Sequence, residues 1–345
     1  METPSPSSFT LKDLAREVGV SVATVDRVLH GRAGVREDTA RKVREAIERH
    51  DFRPSPAAAD LARGRQSRFA FVMPEGANLF MLSIRERLGE MSGWLAARRV
   101  GLDTILTDVF NPATLIKTLE SLNGRYDGVA VVALDHPGVR AAIDDLVDSG
   151  VFVVTLVSDV PGSKRRHYVG VDNVAAGRTA ASLVGRLLGP RSGKVAVIAG
   201  SLSLRDHSER VFGFNQVLTL EYPKLQALPP VEGGDQDEAN ARQTAKLLAA
   251  HPDIVAVYNV GAGTPGVAKA LAEQKGERSV FVAHDLTPFT RRYLQKGLMD
   301  ALIVQDPGHE ARSAVRVLLA LVRDERILAA QEKINIDIVM RDNLP

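Results

Sequence analysis

Between residues 10 and 52, apolar side chains recur three and four positions apart, the period of an amphipathic helix. Leu11, Leu14, Ala15 and Val18 share one face of a first helix, opened by a capping box at Thr10-Leu11-Lys12-Asp13 and stopped by Gly19. Ser21 caps a second helix running from Val22 to about His30, which Gly31 ends. A third helix is expected over roughly 37–50, with Ala40, Val43 and Ile47 facing inward. Its cap position holds Arg36, which has no short acceptor to offer the first turn. Residues 1–9 are Pro/Ser-rich and predict a disordered tail. Residues 53–67 (RPSPAAADLARGRQS) form an Ala-rich connector in which Ser55 and Pro56 open a brief helix and Gly64 closes it.

From Arg68 onward the period changes. Short β-branched runs alternate with amphipathic helices: FAFVM (69–73), LDTIL (102–106), GVAVVAL (128–134) and VFVVTLV (151–157), then KVAVIA (194–199), IVAVYNV (254–260), SVFVAH (279–284) and DALIVQ (300–305). Helical stretches lie between them, for example over 83–99, 113–122, 174–188 and 239–250. Strand and helix at this spacing predict a doubly wound parallel α/β fold, and eight or more strands divide most naturally into two sheets. The closing run EKINIDIVM (332–340) alternates as a late strand does.

Composition narrows the function classes. The 345 residues contain no cysteine, which excludes a disulfide framework, a thiolate metal site and a thiol nucleophile. No apolar run approaches the roughly 18 residues a membrane span needs, and METPSPSSFT does not read as a secretory signal, so a cytoplasmic protein without membrane association is expected. Net charge is +2, and residues 1–65 hold all of that excess, with twelve basic against ten acidic side chains. No G-x-S-x-G elbow, H-E-x-x-H pair or P-loop occurs, and the eight histidines are scattered; neither a metal nor a cofactor is expected.

Two helices flanking Gly19-Val20-Ser21 have helix-turn-helix spacing, although spacing alone fits a packing hairpin equally well. The residues decide it: TLKDLAREVGVSVATVDRVLHGRAGVREDTARKVREAIERHDFRPSPAAADLARGR closely resembles the DNA-binding headpiece of the lac repressor family. The resemblance implies a headpiece over 10–53 and a hinge helix over 54–67. It places Val22, Ala23 and Arg27 where that family reads bases, and Thr10, Ser21, Thr24 and His30 against phosphates. Arg27 suits a two-pronged contact to guanine, while Val22 and Ala23 offer only apolar contact. Leu61 falls at the hinge leucine that wedges between base steps, with Ala58 on the helix–helix face. Asp26 departs from the family's small hydroxyl residue. A carboxylate beside phosphate is repelled, so it pairs with Arg27 or Arg41, or accepts from a cytosine amino group.

Residues 68–345 resemble the type I periplasmic sugar-binding fold that this family shares. That implies an N-lobe of about 68–171 and 306–330, a C-lobe of about 172–305 and 331–345, and a ligand between them at the strand ends. The positions carried over are Asn78, Phe80, Ser158, Asp159, Arg210, Asn259, Asp285 and Gln305, a set of hydroxyl-binding groups with one aromatic face. His207 and His284 are further candidates. The set suits a polyol, and with Phe80 the single aromatic identified it argues against a typical hexose; the expected effector is a sugar, polyol or sugar acid. The implied protein is a ligand-responsive repressor acting as a homodimer on an operator. Two rivals stand beside it. GAGTPG at 261–266, followed by Asp285, is a literal dinucleotide fingerprint after a strand, the mark of an NAD(P)-dependent oxidoreductase. A periplasmic-type sugar receptor is the second.

Overall fold

In the computed structural model, which describes residues 10–29, 32–50, 52, 66–76, 78–274 and 276–345, the three apolar stripes of the N-terminal region become α1 (Leu11–Val18), α2 (Val22–Leu29) and α3 (Glu37–Arg49). Leu14, Ala15, Val25, Val43 and Ala46 form their core, with Ile47 and Phe52 packed at its edge. The Thr10–Asp13 capping box closes as expected, and Gly19 ends α1 in the left-handed region at φ 72°. The Ser21 hydroxyl caps α2 by accepting from the Thr24 amide at 3.1 Å. Arg36 supplies no side-chain cap to α3, whose outer end is instead tied to α1 by Arg49 and His50, at 2.8 and 2.7 Å from the Glu17 carboxylate. The tail 1–9, His30, Gly31 and the connector 53–65 with Ala58 and Leu61 lie outside the described residues.

The remainder is a second unit built on two sheets. The first sheet contains β1 (Ser67–Pro74), β2 (Val100–Thr107), β3 (Gly128–Val131), β4 (Phe152–Leu156) and β5 (His167–Val169), all parallel in the order β2-β1-β3-β4-β5. Its helices are α4 (Leu79–Glu90), α5 (Ser92–Ala97), α6 (Pro112–Glu120) and α7 (Pro137–Asp148). The alternation along β1 sorts the two faces. Phe69, Phe71 and Met73 pack with Ile84 and Leu88 of α4, whereas Ala70 and Val72 face Leu115 of α6 and Ile143 of α7.

After β5 the chain crosses to the second sheet. Here lie α8 (Asn173–Leu188), β6 (Gly193–Ala199), α9 (Arg205–Glu221), β7 (Leu225–Ala227), β8 (Val231–Glu232), α10 (Asp237–Ala250), β9 (Ile254–Asn259), α11 (Thr264–Ala272), β10 (Val280–His284), α12 (Pro288–Gln295) and β11 (Ala301–Val304). A second crossing puts α13 (Pro307–Arg323) against the first sheet, where Ala311, Val315 and Leu318 join its core. After α14 (Ala329–Glu332) the chain returns, and β12 (Asp337–Val339) pairs antiparallel with β11. The order is β12-β11-β10-β9-β6-β7, with β8 beside β6.

All eight expected strands of the α/β region form, as does the late strand. Three more, β5, β7 and β8, are only two or three residues long and too short to display a period. The helix expected over 83–99 is instead two: Asn78 caps α4 four residues earlier than that pattern suggests, and the chain breaks at Met91. β1 begins at Ser67, so the last residue of the expected hinge belongs to the sheet.

Candidate functional site

On the N-terminal unit, α2 buries Val25 and leaves Ser21, Val22, Ala23 and Arg27 exposed, with Thr24 half-buried. Residues 23 and 27 are one turn apart and share a face. Three of the hydroxyls expected to meet phosphate already have intramolecular duties. Thr10 donates to the Asp13 carboxylate at 2.5 Å, and the Ser21 and Thr24 hydroxyls lie 2.9 Å apart. Asp26 has Arg32 as an ion-pair partner at 3.5 Å, while Arg41 reaches Asp38 and Glu45 along its own helix.

In the larger unit the C-terminal ends of both sheets' strands surround a cleft of about 370 Å³. Of the expected effector residues, Asn78, Phe80, Ser158, Arg210, Asp285 and Gln305 line it. Arg210 is placed by the packing of α8 on α9. A Cβ at Gly177 would lie 1.9 Å from the Arg210 carbonyl oxygen, and one at Gly213 2.1 Å from that of Val174, so only glycines permit the approach. The buried guanidinium then donates through Nε to Asn173 Oδ1 and through Nη1 to the Val260 carbonyl, both at 2.9 Å. Burial pulls against its charge, but Asp206 and Asp285 outweigh it and hold the Arg210 pKa above the usual value.

Asp285 sits in the left-handed region at φ 66° and accepts from Gln305 Nε2 at 3.3 Å. Burial pushes its carboxyl up to about 6, against the pull of Arg210. Asn78 spends its Oδ1 capping α4, and Ser158 accepts from the Arg205 amide at 3.0 Å, a hydrogen bond between the lobes. Leu134 and Leu204 form a second cross-lobe contact as an isolated β-bridge.

Two expected residues do not reach the cleft. Asp159 is consumed by Arg165, by the Thr155 hydroxyl at 2.6 Å and by the Val160 amide at 2.8 Å; it fastens the loop after β4. Asn259 is buried beneath the 261–266 loop and donates to the carbonyls of Gly261 and Ala262 and to the Thr264 hydroxyl. His207 does line the cleft, its Nδ1 accepting from the Ser201 amide at 3.2 Å. His284 lines an adjoining recess; burial keeps it well below the usual histidine range, and it meets the Tyr258 hydroxyl at 2.8 Å.

Sequence reasoning missed Phe110, Asp206 and Asp235, which also line the cleft. Phe110 follows β2, so the strand-end rule that located Phe80 reaches it too. It supplies the second aromatic surface whose absence had counted against a sugar ring. Asp206 opens α9 beside Arg210, and Asp235 follows β8, a strand with no sequence signal.

The glycines of the dinucleotide-like loop answer to the chain's own packing. A Cβ at Gly261 would lie 2.5 Å from Asp235 Oδ1, Gly263 has φ 71°, and a Cβ at Gly266 would lie 1.8 Å from the Asp237 carbonyl oxygen. The Ala262 amide, a donor that a pyrophosphate would need, goes to Asp235 at 2.9 Å. Among the described residues no acidic or histidine cluster has the geometry to hold a metal, and no helix is long and apolar enough to cross a membrane.

Comparison with known proteins gives matches to two families: residues 10–55 to bacterial regulatory proteins of the lacI family, and residues 69–326 to the periplasmic binding protein domain. Catabolite control protein A of Priestia megaterium is 26% identical over 284 residues, covering 81% of each chain. That of Staphylococcus aureus strain MRSA252 is 24% identical over 250 residues, covering 72% of this chain and 73% of its own. Among solved structures, GanP, a glucose-galactose binding protein from Geobacillus stearothermophilus, superposes with a TM-score of 0.73 at 25% identity, over 81% of this chain and 99% of its own. A solute binding protein from Burkholderia graminis in complex with D-arabinose gives 0.74 at 25% identity, over 81% and 96%.

Proposed function

The chain belongs to the lac repressor family of bacterial regulators, with a periplasmic-binding-protein domain as its larger unit, and from that premise we propose that it is a cytoplasmic repressor whose homodimer grips an operator and changes that grip when a small polyhydroxylated metabolite enters the cleft. The observation that carries this reading is a pocket lined by Arg210, Asp285, Gln305 and two aromatic rings, on one chain with a helix-turn-helix whose α2 exposes Val22, Ala23 and Arg27. The first set donates to and accepts from hydroxyls while the rings cover the apolar side of a sugar-like ring. The second presents one guanidinium and two small apolar groups to a major groove. Thr10, Ser21, Thr24 and His30 are assigned to phosphates, and Ala58 and Leu61 to a paired hinge over the minor groove.

A periplasmic-type receptor shares the second unit but has no use for the first. The oxidoreductase reading loses its loop to internal packing; saturable binding of NADH by the pure protein is the result that would restore it.

The test is binding of the purified full-length chain to promoter fragments at low ionic strength. Retarded complexes that weaken steeply with salt are expected, because phosphate contacts release counterions. Arg27→Ala should lower discrimination at one base position by about 1–3 kcal/mol while the fold is retained. No retardation of any fragment, with or without candidate metabolites, would overturn the regulator reading; unchanged discrimination in the variant would remove Arg27 from base reading.

A further inference from the structure

The cleft lining is acidic. Glu75 and Asp108 reach it from the ends of β1 and β2, and Asp206, Asp235 and Asp285 from the other lobe, five carboxylates in all. Arg210 is the one arginine among the lining residues, no lysine joins it, and two of its nitrogens are already committed to Asn173 and Val260. The lining therefore carries a large negative excess within a space the size of one small molecule.

A second observation is independent of that count. Asp206 Oδ1 and Gln305 Oε1 are buried acceptors without a hydrogen-bond partner, on side chains each only 4% exposed, and both side chains line the cleft. The other Asp206 oxygen lies 3.6 Å from His207 Nε2, and the Arg210 guanidinium interacts with the same carboxylate. Buried acceptors in this state call for donors from whatever fills the space. A hydroxyl brings one hydrogen, whereas an ammonium brings three together with a charge that a desolvated carboxylate attracts.

We propose that the effector is a polyhydroxylated amine, an amino sugar or aminocyclitol, whose ammonium is held by Asp206 and its neighbouring carboxylates. Arg210, Gln305 and the faces of Phe80 and Phe110 take the hydroxylated ring. The proposal rests on the cleft being the effector site and goes further by fixing the effector's charge. A sugar acid or sugar phosphate would bring like charge into this lining and is excluded by the same reasoning.

The experiment is calorimetric titration and thermal shift of the full-length protein with D-glucosamine, D-galactosamine, a mono-aminocyclitol, the parent hexoses and cyclitol, N-acetylglucosamine, gluconate and glucose 6-phosphate. At least one amine should bind tenfold or more tightly than its neutral parent, lose that advantage on N-acetylation, and weaken as salt rises from 50 to 500 mM while any neutral binding stays flat. Asp206→Asn should shrink the preference of amine over parent to less than threefold, with the variant's fold checked by circular dichroism. If that variant does not fold, the salt dependence and the N-acetyl comparison decide. A neutral parent or an anion binding as tightly as its amine overturns the proposal and leaves the cleft reading standing. No response to any compound counts against both.

Discussion

Asp285 holds the least comfortable charge in the cleft. Burial raises its carboxyl to about 6, Arg210 and the Gln305 amide act to lower it, and Asp206 and Asp235 add to the rise. The native pKa lies above that of an unfolded aspartate, so native stability tied to this group is full below about pH 4 and declines as pH rises through about 6. Asp285→Asn imitates the protonated form. It should raise the melting temperature of the empty protein at pH 7.5, by at most about 3 kcal/mol in stability, and the gain should vanish near pH 4. A pH series of thermal unfolding checks this, and an advantage that persisted unchanged at pH 4 would assign it to packing instead of charge. The same variant should lose effector affinity, a trade expected where a site keeps strained groups for binding. At this scale the sequence was a partial guide. Asn78, Phe80, Arg210, Asp285 and Gln305 stand at strand ends or beside a marked helix start, and all reach the cleft. Asp159 and Asn259 stand at strand ends too, but whether such a side chain faces the cleft or ties down its own loop depends on partners such as Arg165 and Thr264, which spacing does not reveal.

Among the elements, the turn from β9 into α11 shows most plainly how a pattern and its cause can differ. Three glycines at dinucleotide spacing have three local causes: Gly261 abuts Asp235 and His207, Gly263 turns at φ 71°, and the Gly266 position meets the Asp237 carbonyl oxygen at the first turn of α10, where α10 and α11 pack with almost no gap. Gly266→Ala forces those helices apart and should cost about 1–3 kcal/mol, the usual penalty of overpacking. It should lower the urea midpoint of the full chain, whereas a nucleotide-binding role with open space around the loop would leave the midpoint unmoved. The longer elements were legible because burial imposes a period on them: FAFVM and IVAVYNV pack side chains on both faces of a covered parallel sheet and so read as unbroken apolar runs. β7 and β8 are held by β6 and contribute too few residues to show a period, so Asp235, which depends on the end of β8, was invisible beforehand.

At the scale of the whole molecule, the change of apolar period at residue 68 separates a helical reader from an α/β sensor, and a thermodynamic constraint connects them. A ligand moves an equilibrium only by its differential affinity for two states. In the sensor, the cross-lobe hydrogen bond from the Arg205 amide to Ser158 and the bridge from Leu134 to Leu204, in which the Asp135 amide donates to the Ser203 carbonyl at 3.0 Å, must both break if the lobes part. Phe80 and Phe110 line the cleft from one lobe and Arg210 and Asp285 from the other, so an effector that spanned it as proposed would favour the arrangement that keeps these contacts. Coupling of about 1–3 kcal/mol would change operator affinity about 5–150-fold, and linkage requires operator DNA to change effector affinity by the same factor. Titrating effector into the protein alone and into its operator complex measures one side of this equality, and titrating operator with and without effector measures the other. Arg210→Ala should bring both factors to one, because it removes the buried guanidinium proposed to hold the effector's hydroxylated ring. If effector still altered operator affinity in that variant, the switch would work through a different site; if the two wild-type factors disagreed, a third component such as a change in dimerisation would have to enter the cycle.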